Sequence, residues 1–167
     1  MRKKILSEIA IYYGDVSMPK GYQIDSLGIC KSIMESLYTN EDYTFNKEFD
    51  KLNSYIIEYM RLRYNLLISN RKMYGSIYIP NENDSPPTSV NPMDLKNSPD
   101  FTLLYGVNTV DCLVKIYYDN NRIKNLCEEV DLKQNLFVMF PSTCSYNIIN
   151  NQKNNLNFIQ TITYEIR

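Results

Sequence analysis

The stretch Leu136 to Asn150, with the sequence LFVMFPSTCSYNIIN, constrains the fold more than any other part of the chain. Its first apolar segment runs into Phe140-Pro141-Ser142, where the chain turns, and a second apolar segment follows. Short apolar runs bounded by turn residues are typical of buried β-strands. The pattern therefore predicts two strands joined as a β-hairpin.

The rest of the C-terminal half also predicts strands. Apolar and polar residues alternate from Lys72 to Pro80, which indicates a strand with one buried face. Further strands are predicted at Phe101–Val107, Cys112–Tyr118, Leu126–Leu132 and Leu156–Ile166. A long polar loop, residues 81–99, separates the first of these strands from the others. A loop of this length in a compact domain is usually functional or lies at an interface.

The N-terminal part predicts one strand and two helices. Ile5 to Tyr13 is the predicted strand, and Ser17 to Gly21 a loop. Asp25 or Ser26 can cap a first helix that ends near Tyr38. The apolar stripe of this helix is predicted at Leu27, Ile29, Ile33, Met34 and Leu37. The second helix has about 20 residues, with Asn46 as its N-cap. Its predicted core stripe is Phe49, Leu52, Tyr55, Ile56, Tyr59, Met60 and Leu66 or Leu67.

These elements predict an α+β fold that is mainly β, with two helices beside seven or eight strands in a sandwich or roll. The 167 residues are predicted to form a single domain. Residues 1–70 supply one strand and both helices, and residues 71–167 supply the β-roll with its long loop.

The chain has no histidine, and this absence excludes several kinds of site. Ser-His and Cys-His couples and mixed Cys/His zinc sites all need an imidazole. The spacing of the cysteines does not suggest a four-cysteine zinc site either. All four are predicted to be reduced, partly buried thiols: Cys30, Cys112, Cys127 and Cys144. Cys144, close to Ser142 and Ser145, is predicted to be structural, because no base accompanies it.

Charged residues give no strong signal. A net charge of −1 provides no general attraction to nucleic acid or anionic membranes. The carboxylates that could pair as acid and base are predicted to be solvated surface groups: Asp15, Glu35, Glu128, Glu129 and Asp131. A basic set along the second helix, interleaved with Tyr59 and Tyr64, is predicted to be a solvated helix face: Arg61, Arg63, Arg71 and Lys72. We expect no signal peptide and no membrane span.

The residues from Val138 to Tyr146, VMFPSTCSY, together with the Asn-rich turn and the strand after them, resemble a known family. The chain is similar, over about residues 45 to 167, to the 2-oxoglutarate/Fe(II) oxygenase superfamily. The resemblance is to the small double-stranded β-helix form found in marine tailed phages, and it implies a jelly-roll-like core.

The resemblance also implies positions for an iron site. Its distal histidine would lie on the strand after Phe-Pro-Ser, at Tyr146, and its cosubstrate arginine in the region Asn154–Asn157. The proximal His-x-Asp/Glu motif would lie between Tyr78 and Asp100. None of these histidines or this arginine is present, so the sequence predicts that the chain is not an enzyme. No catalytic, cofactor-binding or metal-binding residue is predicted, and no cofactor.

The predicted function is a structural or interaction module, built on an oxygenase-like fold without its iron site, in a tailed-phage virion. Neck, tail or baseplate proteins are the expected class, and the 15 tyrosines suit a contact surface. The predicted partners are other copies of the chain or neighbouring virion proteins, not membranes or nucleic acid. The expected location is the virion, after synthesis in the host cytoplasm.

Two alternatives remain open. One is a phage regulator that binds a host protein. The other is a divergent oxygenase with an all-oxygen metal site built from Glu82, Asp84, Asp94 or Asp119.

Overall fold

The computed structural model describes residues 9–16, 24–41, 43–44, 46–88, 90–120 and 123–167. These residues include two α-helices, α1 (Ser26–Thr39) and α2 (Lys47–Tyr64). The strands are β1 (Tyr12–Asp15), β2 (Ile68–Tyr78), β3 (Asn83–Asp84), β4 (Phe101–Asn108), β5 (Cys112–Asn120), β6 (Ile123–Asp131), β7 (Leu136–Pro141), β8 (Ser145–Asn150) and β9 (Asn157–Ile166). In the described segments, no helix is long and apolar enough to cross a membrane.

Both helices begin at the side-chain caps predicted from the sequence. The Asp25 carboxylate accepts a hydrogen bond from the Gly28 amide at 3.0 Å, and the Asn46 side chain accepts one from the Glu48 amide at 2.8 Å. Each bond satisfies an amide that has no partner within its own helix. Both helices end at an asparagine in the left-handed conformation, Asn40 and Asn65.

The strands form two antiparallel sheets. The larger sheet has the order β1-β7-β4-β9-β2, and the smaller has the order β3-β8-β5-β6. One apolar cluster lies between the helices and the larger sheet and includes Ile33, Phe49 and Ile162. A second lies between the two sheets and includes Ile116, Phe140 and Ile148. This architecture confirms the predicted mainly β fold with a double-stranded β-helix core and two helices packed on it.

The buried face of α1 differs from the predicted one. Leu27, Met34 and Leu37 were expected in the core, but they are exposed to solvent. The buried side of this helix is narrower and consists of Ile29, Cys30, Ile33 and Ser36. The prediction was wrong for these residues because apolar residues cover more of the helix circumference than the sheet can contact.

The stripe of α2 is partly as predicted. Four of its predicted residues are buried: Phe49, Leu52, Ile56 and Met60. Tyr55 and Tyr59 are half-buried at the margin of the same face, and Leu67 is exposed. The predicted packing of this helix against a sheet is therefore confirmed.

The predicted β-hairpin at residues 136–150 is wrong in its pairing. Strand β7 pairs with β1 and β4 in the larger sheet, whereas β8 pairs with β3 and β5 in the smaller one. The turn at Pro141 to Cys144 therefore carries the chain from one sheet to the other. The Phe140 and Tyr146 rings, on either side of this turn, face each other across the sandwich interior with centroids 5.1 Å apart.

Three predicted boundaries also change. The long loop contains strand β3, which pairs with β8, and a short 3-10 turn at Leu95–Asn97. Strand β2 begins at Ile68 rather than Lys72. In the described part of the first predicted strand, the chain is extended only from Tyr12 onward, and Gly14 lies within the strand. Residues 5–8 and the predicted loop 17–21 lie outside the described residues.

Candidate functional site

Three tyrosines and one aspartate meet at one end of the sandwich, between β2, β3 and β8. Alternation along β2 directs Tyr74 and Tyr78 toward the smaller sheet, since Gly75 and Ile77, on the opposite face, lie against the helix layer. The short strand β3 pairs with β8, where Asp84 is opposite Ile148. Tyr146, two residues earlier on β8, completes the group.

Tyr146 is the centre of this group. Its side chain is 4% exposed, and its ring packs edge-on against Phe140. Burial raises the pKa of the Tyr146 hydroxyl well above its ordinary value, and the nearby Tyr74, Tyr78 and Asp84 raise it further. A hydrogen bond with Tyr74 contributes to the same pKa shift. The Tyr146 phenol therefore stays protonated across the physiological pH range.

Tyr78 lies on the facing sheet and is also buried. Burial raises the pKa of its hydroxyl, and the charge of Asp84 raises it further. The backbone carbonyl of Tyr78 accepts a hydrogen bond at 3.0 Å from the buried Asn150 amide, which also donates to the carbonyls of Ile79 and Asn155. Asn150 therefore ties the end of β2 to the end of β8 and fixes the position of Tyr78.

Hydroxyl side chains continue the polar surface across the larger sheet. Thr161 on β9 lies directly opposite Tyr74 in the strand register, and Thr163 lies opposite Lys72. Next to them, the hydroxyls of Thr102 and Ser142 share a hydrogen bond of 2.8 Å and are buried. At the open end of this row, the Lys72 ammonium lies 5.4 Å from the centroid of the Tyr74 ring. The interior at this end is therefore polar, although the surrounding core is apolar.

The region predicted to correspond to the cosubstrate arginine has a structural role. Asn157 is buried, and its side chain accepts a hydrogen bond from the Val110 amide at 3.0 Å and donates one to the Val110 carbonyl at 3.2 Å. Asn155 bonds to the side chain of Gln152. These amides hold the β8–β9 connection against the β4–β5 connection.

The carboxylates proposed for an all-oxygen metal site do not come together. Asp84 lies beside Tyr146, as described above. The Glu82 carboxylate accepts a hydrogen bond from the Ile79 amide at 2.6 Å. Asp94 accepts two hydrogen bonds from the Asn97 side chain, and Asp119 accepts one from the Asn125 amide. Each of these three carboxylates stabilises a local turn.

The remaining charged candidates are exposed surface groups, as predicted, except Asp15, which is half-buried. Glu129 pairs with Lys115 across neighbouring strands at 2.7 Å, and Asp131 lies 3.4 Å from Lys133. Other pairs are Glu35 with Lys31, Arg61 with Glu58, and Arg71 with Glu165. Glu129 and Asp131 share β6, but each pairs with a lysine and not with another carboxylate.

The prediction of buried thiols is confirmed for three of the four cysteines and wrong for Cys127. All four thiols are free; Cys30, Cys112 and Cys144 are buried, and Cys127 is exposed. Burial raises the pKa of Cys144, and it raises the pKa of Cys112 to about 12. A thiol with a raised pKa is a poor nucleophile near neutral pH, which agrees with a structural role for Cys144.

The fold implies ferrous iron, and the residues of this chain do not fit it. The usual site needs two imidazoles and a carboxylate, and the sequence contains no histidine. Across the described ranges, no three His, Cys, Asp or Glu side chains lie together where they could hold a metal ion. Tyr78 and Tyr146 offer buried phenols in place of the two imidazoles that the usual site needs.

With this geometry established, comparison with solved structures defines the class of fold as that of 2-oxoglutarate/Fe(II)-dependent oxygenases. A Pseudomonas putida prolyl-4-hydroxylase matches with a TM-score of 0.62 at 10% identity, over 94% of this chain and 88% of that one. The non-heme α-ketoglutarate-dependent epimerase SnoN, from nogalamycin biosynthesis, matches with a TM-score of 0.59 at 8% identity, over 92% of this chain and 76% of that one.

A viral protein has the same fold. The collagen prolyl hydroxylase of Paramecium bursaria Chlorella virus-1, solved with 2-oxoglutarate, matches with a TM-score of 0.58 at 10% identity. The match covers 92% of this chain and 94% of that one. No protein-family model and no curated protein sequence matches the chain. At these identities the likeness establishes the fold.

These structures correct one prediction made from the sequence. The missing histidines led to the prediction that the chain is not an enzyme, and that prediction is wrong, because the fold is shared with hydroxylases and an epimerase. A chain can have an enzyme fold even when its sequence has no known metal-binding motif.

Sequence reasoning identified Tyr146 as a key position but missed Tyr74 and Tyr78. A signal for both was present: the two residues are four apart on a predicted strand, which places them on the same face. Asp84 was named as a candidate metal ligand, but its position beside Tyr146 was not predicted, because a two-residue strand has too few residues to show alternation.

Proposed function

We propose that this chain is a protein-interaction module built on the oxygenase-like fold, and that it functions as a component of a tailed-phage particle. The observation that carries the interaction role is the outer face of α1. Leu27 is 79% exposed, Met34 55% and Tyr38 89%, and the neighbouring Leu37 is 49% exposed. Single exposed apolar residues are common, but a set on one helix face marks an interaction surface.

The polar end of the sandwich is consistent with this role. The place where the resemblance puts an iron ligand holds the protonated phenol of Tyr146, which packs on Phe140 and bonds to Tyr74. These contacts join the two sheets and stiffen the domain. A stiff domain presents a surface helix in one orientation, which lowers the entropic cost of binding.

Two similarities support the phage part of the proposal. The motif around Phe140-Pro141-Ser142 resembles phage-encoded members of the superfamily, and a viral hydroxylase has the same fold. Within a particle, the neck, tail or baseplate is the proposed place, and neighbouring particle proteins or further copies of the chain are the proposed partners. The chain would be made in the host cytoplasm and end in the virion.

Quantitative mass spectrometry of purified virions tests the particle role. We expect the chain at a fixed copy number relative to the major tail proteins, and we expect a Met34→Glu variant to be lost from particles. The matched control is Leu62→Glu, since Leu62 is 70% exposed on α2, away from the α1 face. Detection of the chain only in infected-cell lysate would contradict the particle role and favour a regulator that binds a host protein.

A second candidate function is an enzyme, and the shared fold favours it. The position of Asp84 beside Tyr146 and Tyr78 provides one carboxylate and two phenols at the end of the sandwich where the resemblance places chemistry. Calorimetric titration with 2-oxoglutarate, with and without Fe(II) or Mn(II) under anaerobic conditions, tests this candidate. Stoichiometric binding that Asp84→Asn abolishes would support the enzyme, and absence of heat in every titration would count against it.

A further inference from the structure

The outward side of α1 has the spacing of a coiled-coil seam. Leu27, Lys31, Met34 and Tyr38 follow one another at steps of four, three and four residues. At about 100° per residue, all four project within an arc of about 60°. This is the spacing of alternating d and a positions in a heptad, which face a partner helix in a coiled coil.

The opposite side of the same helix belongs to the core. Ile29 and Ile33 are fully buried, and Ser36 is 6% exposed. The seam is therefore turned away from the protein, and the packing of α1 on the sheet leaves it accessible. The helix spans about 21 Å, at 1.5 Å per residue. Each half of the helix therefore carries two of the four seam residues.

The charges on α1 lie in and beside this seam, because Lys31 belongs to it and Glu35, next to Met34, flanks it. Lys31 and Glu35 are the only charged residues of the helix, and they lie near its midpoint. Their side chains are 79% and 65% exposed, and Lys31 Nζ lies 3.8 Å from Glu35 Oε1. An exposed i,i+4 pair of this kind contributes little to the stability of the folded chain. Both groups can therefore exchange partners at almost no cost.

We propose that the occupant of this face is a second copy of the chain, bound through an antiparallel pairing of the two α1 helices about a two-fold axis. The proposal rests on the interaction function proposed above and identifies one partner. In the symmetric register, Leu27 of each copy lies against Tyr38 of the other, and Lys31 lies against Met34 of the other. The Lys31 ammonium then reaches Glu35 of the second copy, so that two equivalent ion pairs form.

The charge pattern distinguishes this arrangement from the parallel one. A parallel pairing in register would place Lys31 against Lys31 of the second copy, and like charges in direct contact are destabilising. The antiparallel pairing places each charge next to its opposite, and a two-fold axis requires this kind of self-complementary surface. One helix pair is smaller than a standard protein interface, so the dimer of the isolated chain is weak and reversible.

Sedimentation velocity over a series of concentrations tests the pairing. The variants are Lys31→Glu and Glu35→Lys, each alone and then mixed in equal amounts. We expect the wild-type chain to dimerise as concentration rises, and each variant alone to dimerise about tenfold more weakly, because like charges meet. The mixture restores dimerisation, since one variant then presents two glutamates and the other presents two lysines.

The control is Glu58→Lys, which breaks an exposed ion pair of the same kind on α2, where Glu58 lies 2.8 Å from Arg61. We expect this variant to dimerise like the wild-type chain. Circular dichroism of all variants verifies that they are folded.

Three results would overturn the inference: a monomer at every concentration, single variants that dimerise like wild type, or a mixture that does not recover. A monomeric chain that still loses its place in virions through Met34→Glu would overturn the dimer alone. The interaction function would stand in that case, with another protein on the same face.

Discussion

The ring of Tyr146 meets the ring of Phe140 edge-on, at an interplanar angle of 61°, although the strands that hold them lie in different sheets. The two residues are only six positions apart, and the turn between them crosses the interior of the sandwich. Their contact therefore stabilises the turn that carries the chain from one sheet to the other. The Tyr146 hydroxyl adds a hydrogen bond to Tyr74 on a third strand.

This arrangement predicts opposite effects for two similar substitutions. Tyr146→Phe keeps the ring contact and removes the bond to Tyr74, and we expect it to lower the free energy of unfolding by about 1 kcal/mol. Tyr164→Phe removes a buried hydroxyl for which the described residues offer no hydrogen-bond partner. We expect it to leave the free energy of unfolding unchanged or raise it by about 1 kcal/mol. Urea unfolding measures both, and an equal loss in the two variants would contradict this account.

Alkaline pH is predicted to destabilise the fold. Burial raises the pKa values of Tyr78, Tyr146 and Tyr164, whereas tyrosines of the unfolded chain titrate near pH 10. Above about pH 10 the unfolded chain releases protons that the folded chain retains, so each of these tyrosines lowers the unfolding free energy by about 1.4 kcal/mol per pH unit. The contribution of these three tyrosines to the free energy of unfolding is fully present below about pH 10, and it is lost as the pH rises toward their raised pKa values.

Urea unfolding at pH 8 and at pH 10.5 measures this loss. We expect Tyr146→Phe to have a shallower pH dependence than the wild-type chain, and Tyr38→Phe, which alters an exposed residue, to follow the wild-type slope. Parallel slopes for all three proteins would show that Tyr146 is not the source of the effect.

Asn150 is predicted to tolerate no negative charge. Its amide donates to three backbone carbonyls at 3.0 to 3.1 Å, so Asn150→Asp would set a carboxylate against three acceptors. We expect Asn150→Asp to lower the free energy of unfolding by about 3 kcal/mol or more at pH 7, which is more than Asn150→Ala would lower it. The pKa of the new carboxyl would be raised in the folded chain, so the loss should shrink as pH falls from 7 to 4.

Thermal unfolding across this pH range provides the measurement. Asn154→Asp, at an exposed position of the same turn, serves as the control and should change little. A loss for Asn150→Asp that stays constant from pH 7 to pH 4 would mean that charge is not its cause.

Gly75 is predicted to be required for the contact between α1 and β2. A Cβ atom at this position would overlap the Ile33 side chain, so we expect Gly75→Ala to destabilise the chain by about 1 to 3 kcal/mol. In an Ile33→Ala background, the space that the Ile33 side chain occupies is empty. Gly75→Ala should then lower the free energy of unfolding clearly less. Urea unfolding of the four proteins of this cycle gives the coupling energy, and a coupling near zero would contradict the contact.

Local signals predicted the helices and most strands correctly. Asp25 and Asn46 cap helices through bonds within three residues, so the sequence alone contains the information. Pairing between strands is a long-range property, and for this reason the hairpin prediction failed at Pro141. A turn with apolar segments on both sides has the same sequence pattern whether the segments pair or separate into two sheets.

The candidate site was predictable only in part. The motif before Tyr146 identified that position, but its neighbours Tyr74 and Asp84 come from strands 72 and 62 residues earlier in the chain. The exposed face of α1 was missed for a different reason. Periodicity shows which residues are apolar, while the width of the sheet beneath decides how many of them are covered.

Ile33 and Met34 are adjacent in the chain, yet one is sealed beneath α1 and the other faces water. Substitutions at position 33 therefore act on the stability of the core, whereas substitutions at position 34 alter the outer face of α1, where we propose that a partner binds. Single substitutions along the outer side of the helix could therefore change the surface it presents without disturbing the packing beneath it.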